Sequence, residues 1–408
     1  MSAKWKEDVN KLISKIESCK RIDASGNISF SGFEFDEYEA TLFNFLDCRK
    51  EIPDAEKRKF LFNALLEAGQ IGPITKDSVL QKIKDYEILY LKQHLEKYAL
   101  STSISIYRFT EIRRVRISNA LVILETNLPK RFIKEAINLR DSAKNSIFSA
   151  PPTDYMNIRI HVSARSPLDA AEKSFFALDF FRGIWNLFFN RFQYSRKSSQ
   201  RKPVNRLVLG PIHTLHFSSG KLATEMWWYD PDYQKALSIF RIKTYLTKLY
   251  KFEFNVRELI NKIKYKDLII SSIIDYCRAL DNRNWNTAFL MLWSVLEKLT
   301  HTGSDRYETT VRRASFLFKE REYNRQILNH LRNIRNTFVH DNKSSDFLEI
   351  YMYQLKGYVE TLIEFHIVHG KDFENIEEAS IFLDFQTEMR DIKRNIRLLN
   401  KAKNYLRT

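Results

Sequence analysis

Arg335, Asn336 and His340 have side chains that can cut a phosphodiester, and they stand close together in Leu331-Arg332-Asn333-Ile334-Arg335-Asn336-Thr337-Phe338-Val339-His340-Asp341. A guanidinium steadies negative charge on a phosphate, and an imidazole moves protons near neutral pH. RNA carries its own nucleophile in the ribose 2′-hydroxyl, so these groups suffice for its cleavage without a metal. The composition agrees with such a substrate. The chain has 66 basic against 50 acidic residues, a formal charge of +16, which favours polyanions.

The spacing predicts a helix over Tyr323–His340. At 100° per residue, Ile327, Leu331, Ile334 and Phe338 make one apolar stripe that must face a core. Arg325, Arg332, Asn336 and His340 form a polar ridge on the other side. Arg335 sits at the border of the stripe, about 140° from His340 on an ideal helix. The two can converge through the reach of arginine, a distorted helix end, or a second copy of the helix. Spacing alone does not choose this pair, because Arg206/His213 and Arg325/His330 are spaced comparably. Context does: only Arg335/His340 has Asn after the arginine, a helix-ending turn (Asp341–Ser345) after the histidine, and an apolar face behind it. Asp346 and Glu349 read as a capping pair for the next helix.

Glu297, one turn after Trp293, could hold Arg335 or Arg332 in place, or be an ordinary surface carboxylate; Trp293 itself reads as core. The segment Arg191–Arg206 has six basic residues and no acidic one. Arg191, Arg196, Lys197, Arg201 and Lys202 are its candidate phosphate contacts, against the alternative of a plain solvated loop. Trp227-Trp228-Tyr229 could stack bases, although a strand would turn one Trp inward. His213 and His216 lack a matching Cys or acidic pair, so no metal is expected, and no cofactor either. No Walker-type loop, GxSxG or HExxH occurs.

The elements that must position these groups fall into regions of different texture. Residues 1–100 read as helices (Ala3–Lys20, Glu37–Cys48, Ala55–Ala68, Lys76–Tyr98). Residues 101–229 mix short strands (Ile104–Phe109, Val115–Leu124, Asn157–Ala164, Leu207–Leu209, Thr214–Phe217, Ala223–Tyr229) with helices at Pro129–Lys144 and Pro167–Phe192. From 230 to 408 only helical periodicity remains, with candidates at Tyr233–Glu253, Val256–Ile263, Asp267–Leu280, Trp285–Thr300, Thr309–Lys319, Tyr323–His340, Phe347–His369 and Asn375–Asn400. The apolar run Phe175–Phe192 is broken by Asp179 and Arg182, and reads as a buried helix too short to span a bilayer. The segment Arg390–Thr408 has seven basic residues and one acidic one, either an RNA-facing tail or a plain helix end. Cys19, Cys48 and Cys277 are far apart, which fits a reducing compartment. A cytoplasmic protein with no membrane partner is expected.

The C-terminal pattern resembles the HEPN superfamily, small helical domains of RNA-cutting toxins and antiviral nucleases. Their motif, Arg, a polar residue, then His within four to six positions, is matched by Arg335, Asn336 and His340. Phe289–Leu299 is similar to the helix with an embedded Glu in ApeA-like HEPN proteins, and Thr310–Phe318 resembles the helix after it. The matching part spans roughly Asp267 to His369. With the regions above, an α+β, predominantly helical protein is expected: a helical N-terminal region (1–100), a small mixed α/β middle region (101–229) and, as the resemblance implies, an all-α HEPN-like bundle (230–408). The resemblance also implies a metal-independent endoribonuclease, working as a homodimer through that bundle and leaving a 2′,3′-cyclic phosphate. His340 would be its acid–base, Arg335 would stabilise the phosphorane, and Asn336 would orient a phosphate oxygen or the histidine. A toxin or antiphage effector with an antitoxin or sensor partner follows from the same likeness. Two other readings stay open: a catalytically silent HEPN-type module that binds RNA or a partner, and a helical scaffold whose Arg335 and His340 satisfy an interface.

Overall fold

The computed structural model describes residues 2–109, 111–135, 138, 152–191, 204–230, 233, 243–302, 307–340, 347–385 and 388–406. It is a helix-rich α+β fold. The N-terminal helices are α1 (Asn10–Cys19), α2 (Phe33–Phe45), α3 (Asp54–Ile71) and α4 (Lys76–Lys92). Ile16, Leu42, Leu61, Leu65 and Val79 close a core between them. Thr75 starts α4 by accepting from the Ser78 backbone N–H at 3.1 Å, while the Ser78 hydroxyl accepts from the Thr75 N–H at 3.1 Å. Short antiparallel ladders join β1 (Lys4–Trp5) to β4 (Leu46–Asp47), and β2 (Lys20–Ile22) to β3 (Ile28–Phe30). The first expected helix therefore begins later than Ala3, because its leading residues pair as a strand.

Six antiparallel strands form the sheet: β5 (Glu96–Tyr107), β6 (Arg113–Ile117), β7 (Ala120–Glu125), β8 (Tyr155–Ala164), β9 (Ile212–Phe217) and β10 (Leu222–Tyr229), in the order β10-β9-β5-β8-β7-β6. β5 starts at Glu96, where the sequence pattern kept α4 running to Tyr98. Tyr98 and Leu100 already alternate into the core, as a strand requires. Val115–Leu124, expected as one strand, is the hairpin β6–β7, with Ile117 paired to Ala120. Ser118 takes the positive φ of 49° that its tight turn demands. Glycine in the first loop position would announce that turn; Ser-Asn does not.

Helix α5 (Pro167–Asn190) packs across the sheet. Ser166 caps it by accepting from the Asp169 N–H at 3.1 Å, and proline fills its first position. Leu178, Phe181 and Trp185 bury against Met156, Ile158 and Ile160. No described helix is long and apolar enough to cross a membrane.

The C-terminal helices are α6 (Leu246–Asn261), α7 (Lys266–Asp281), α8 (Trp285–Leu299), α9 (Tyr307–Ser315), α10 (Arg321–His340), α11 (Leu348–His369), α12 (Ile376–Leu383) and α13 (Met389–Tyr405). The expected Val256–Ile263 helix is the second half of α6, and the expected Asn375–Asn400 helix divides into α12 and α13. Their buried residues join those of the sheet and α5 in one cluster. Gly183 lets α5 and α7 cross closely: a Cβ there would stand 2.7 Å from Ile273 Cγ2 and 3.0 Å from its carbonyl oxygen. Beside it the buried Arg182 donates to Asp281 at 2.7 Å and to Asp179 at 3.1 Å. Burial works against that guanidinium, yet Asp281 and Asp179 more than offset it and raise its pKa. Trp185 donates its indole N–H to Glu253 of α6 at 3.0 Å, and Arg113 of β6 reaches the same carboxylate at 2.8 Å.

Candidate functional site

Helix α10 is seated by its apolar side. Leu328 and Leu331 are fully buried, and Ile327 and Ile334 pack against the core. Three residues of the expected stripe thus face inward, joined by Leu328; the side chain of Phe338 lies outside the described residues. Asn324 near the helix start accepts from the Tyr358 hydroxyl of α11 at 2.8 Å, and the His330 ring meets Tyr351 at 4.9 Å. These contacts fix the rotation of α10, and hence which side chains it turns outward.

The outward ridge carries Arg325, exposed, with Arg332 and Asn336 half-buried. Among the described residues, neither Arg325 nor Arg332 enters a hydrogen bond or an ion pair. Two unengaged guanidiniums one above the other on a helix are a ready contact for successive phosphates. Arg335 donates from Nη1 to the Asn336 Oδ1 at 3.4 Å. His340 is the last residue of α10, and its imidazole lies outside the described residues.

Helix α8 delivers Glu297 to this site. Asn284 caps the helix through the Thr287 N–H at 3.1 Å, and Trp293, buried at 1% exposure, donates its indole N–H to Glu297 Oε1 at 2.7 Å. Burial pushes the Glu297 carboxyl above its ordinary value, while the Trp293 hydrogen bond and the Arg335 charge pull it back part of the way. Of the two arginines that the sequence offered Glu297, the one whose charge it feels is Arg335. Arg335 thus lies near enough to Glu297 for its charge to be felt, with Asn336 hydrogen-bonded to it and Arg332 on the open ridge alongside.

Arg191 is placed otherwise than expected. It caps the end of α5 and pairs with Glu364 of α11 at 3.7 Å, on the wall of an apolar cavity of about 160 Å³ bordered by Leu187, Phe252, Val256 and Ile363. Its charge is already partnered, which weakens it as a phosphate contact. Arg196, Lys197, Arg201 and Lys202 lie outside the described residues. His213 and His216 point to opposite faces of β9, because residues three apart on a strand must. His213 binds the Thr102 hydroxyl at 2.7 Å beneath α5. His216 donates from Nδ1 to the Gly220 carbonyl at 3.0 Å and accepts from Thr214 at 2.8 Å. Among the described residues no group of three or more His, Cys, Asp or Glu could hold a metal ion. Trp228 turns inward to Phe175 at 5.7 Å, and Trp227 stays with Tyr229 at 5.6 Å.

One polar cluster was not singled out by the sequence. On the sheet face away from α5, the buried Arg159 grips Glu125 with two hydrogen bonds and donates to His161 Nε2 at 2.9 Å. Burial, with Arg159 adding to it, lowers the His161 pKa to about 4. The available signal was alternation: Glu125, Arg159 and His161 occupy polar positions of strands whose neighbours are apolar. This cluster is self-satisfied and distant in the fold from α10.

The chain matches no family model, no curated protein and no solved structure.

Proposed function

We propose that the chain is a metal-independent endoribonuclease of the HEPN type, built around Arg335, Asn336 and His340, and that it serves as a toxin or antiphage effector. The observation that carries the reading is on α10: an arginine whose charge reaches a half-buried, indole-anchored glutamate, at the edge of a ridge whose other arginines have no side-chain partner among the described residues. That leaves Arg325 and Arg332 open to phosphate oxygens. The motif likeness to HEPN nucleases and the basic charge of +16 support the same substrate.

In the proposed reaction a neutral His340 accepts the proton of the ribose 2′-hydroxyl. The freed oxygen forms a bond to the adjacent phosphorus, and the bond from phosphorus to the 5′-oxygen breaks. A protonated imidazole returns a proton to the leaving oxygen, giving a 2′,3′-cyclic phosphate and a 5′-hydroxyl. Arg335 neutralises the extra charge of the phosphorane, Asn336 donates to a non-bridging oxygen, and Arg332 with Arg325 holds the flanking phosphates. Because Arg335 and His340 diverge by about 140° on one helix, the composite site draws on two copies of the chain.

The deciding experiment is incubation of the purified protein with total RNA in EDTA, beside His340→Ala. Cleavage to cyclic-phosphate ends that is lost in the variant is expected. Equal cleavage by parent and variant removes the assignment. Salt-sensitive binding that leaves RNA intact favours the silent module instead.

A further inference from the structure

The outward side of α10 is divided lengthwise by residue type. At about 100° per residue, Arg325 and Arg332 share one border, and Tyr323 and His330 share the other, about 160° around the helix. Gln326, Asn329 and Asn333 fill the strip between them. Among the described residues their side-chain amides make no hydrogen bond. Tyr323 is 58% exposed, and His330 is exposed beside it. Helix α11 widens this aromatic border. Phe347 at its N-terminus is 56% exposed and lies one turn before Tyr351, their rings 6.4 Å apart, and Tyr351 meets the His330 ring at 4.9 Å.

The rings and the guanidiniums stand at one level. His330 lies about 3 Å before Arg332 along the helix axis and about 7.5 Å after Arg325. Between the two borders is the width of one helix, about 10 Å, which a nucleotide spans from phosphate to base. The residue types choose among occupants. A lipid surface calls for the aliphatic side of α10, and Ile327, Leu331 and Ile334 spend that side on the core. Glu322 is the one acid on α10, so the two arginines take their counter-charge from whatever covers the face. An RNA strand carries that charge with it. Aromatic rings accept any base, since every base has a π face, and amides beside them can hydrogen-bond base edges.

We propose that Phe347, Tyr351 and His330 form a base-stacking subsite: a nucleotide held by its phosphate on Arg325 or Arg332 lays its base across the amides and onto these rings. The proposal rests on the RNA reading above, and adds to it the side of α10 on which the bases lie.

The probe that tests it is a set of 2′-O-methyl oligouridylates, each with 2-aminopurine at a different position. Lacking the attacking hydroxyl, they stay intact whether or not the protein cuts RNA, and their fluorescence is quenched when the 2-aminopurine stacks. Titration with the full chain in EDTA is expected to quench at least one of the set. Phe347→Leu keeps apolar bulk at an exposed position but removes the π face. It should bind that probe about tenfold more weakly and without quenching, at an unchanged thermal melt. Phe347→Trp should quench as the parent does, and Tyr351→Leu should behave like Phe347→Leu. No binding, binding without quenching, or quenching that survives both leucine variants overturns the subsite. Cleavage of total RNA by the parent, measured separately, then tells whether the nuclease reading falls with it. Leucine variants that lose dimer mass in sedimentation yet bind the probe like the parent also overturn it, and give the flank to a protein contact.

Discussion

The indole N–H of Trp293 and the carboxylate of Glu297 lie one helical turn apart, joined by a 2.7 Å hydrogen bond that holds an acidic group half-buried next to Arg335. Burial makes this carboxylate costly to ionise, and in the proposed reading that charge serves to hold Arg335. Glu297→Gln keeps an oxygen for the indole and removes the charge. RNA cleavage is expected to fall about tenfold or more, within the range for loss of a charge-organising group. Stability should move the other way. The folded-state pKa of Glu297 lies above its ordinary value of 4.5, so its contribution is complete below that value and is lost as pH rises through the folded pKa. At pH 7 the Gln variant should therefore melt no lower than the parent, and its advantage should vanish on acidification to below pH 4.5. Melting curves at the two pH values, with single-turnover cleavage, check both parts.

Arg335 is expected to need its planar fork, and not charge alone. Arg335→Ala should lower cleavage about 100-fold, the scale of a lost charge-stabilising donor. Arg335→Lys should recover little of that loss, because an ammonium cannot bridge two phosphate oxygens. Cleavage rates measured beside circular dichroism spectra separate this from unfolding. A fully active lysine variant would reduce Arg335 to a nonspecific cation.

Arg332 and Arg325 carry a different expectation, since the proposed reaction gives them phosphates away from the reacting centre. Replacing both with Ser should weaken RNA binding and flatten its dependence on salt by about two units of slope, one per phosphate contact. The rate at saturating RNA should change far less than the apparent affinity. Filter binding across a salt series, paired with saturating kinetics, reads the two quantities separately.

Acid should loosen the fold before it protonates most carboxylates. His366 donates from Nε2 to the Leu299 carbonyl at 2.8 Å and accepts from the Tyr265 hydroxyl at 3.0 Å, an arrangement that only the neutral ring can make. Burial lowers the pKa of His366 to about 4, as it does for His213 and His161. Unfolded, each binds a proton below about pH 6.5. The folded state binds fewer, so stability drops as pH falls from that value towards 4. His366→Gln should be less stable at pH 7 yet lose less stability between pH 7 and 5 than the parent, as urea titrations at both pH values would show.

Removing the Arg182 side chain leaves Asp179 with Arg278 at 2.8 Å and Asp281 with Asn205 at 2.7 Å at the crossing of α5 and α7. Arg182→Ala is expected to cost about 3 kcal/mol, the low end of the penalty for breaking a buried pair from one side. Denaturant unfolding measures it directly.

Much of the α10 site was legible because it depends on one helix and its period. The stripe of Ile327, Leu331 and Ile334, and the ridge of Arg325, Arg332 and Asn336, follow from 3.6 residues per turn once the core side is known. That Glu297 would face Arg335 more than Arg332 was not legible, since it depends on how α8 and α10 cross, a tertiary fact. Tyr98 misled the helix reading because apolar spacing at the end of α4 runs straight into the alternation of β5. The β6–β7 turn was missed because Ser118 adopts a backbone conformation its type rarely announces. Arg191 was read from the charge of its neighbours, while its ion-pair partner, Glu364, is far away in sequence.

The glycine at position 183 has a consequence for how the protein can be taken apart. Its missing side chain lets a helix from the sheet region press onto Ile273, with Arg182–Asp281 on one flank and Trp185–Glu253 on the other. An expression fragment cut near residue 230 would present both halves of that contact to water, each with a charged group whose counterpart has been discarded. Among the described residues, cutting ahead of Glu96 severs no ion pair, though it removes the packing of Tyr90 beneath Arg165, and is the sounder place to divide the gene when the helices that carry Arg335 are wanted on their own.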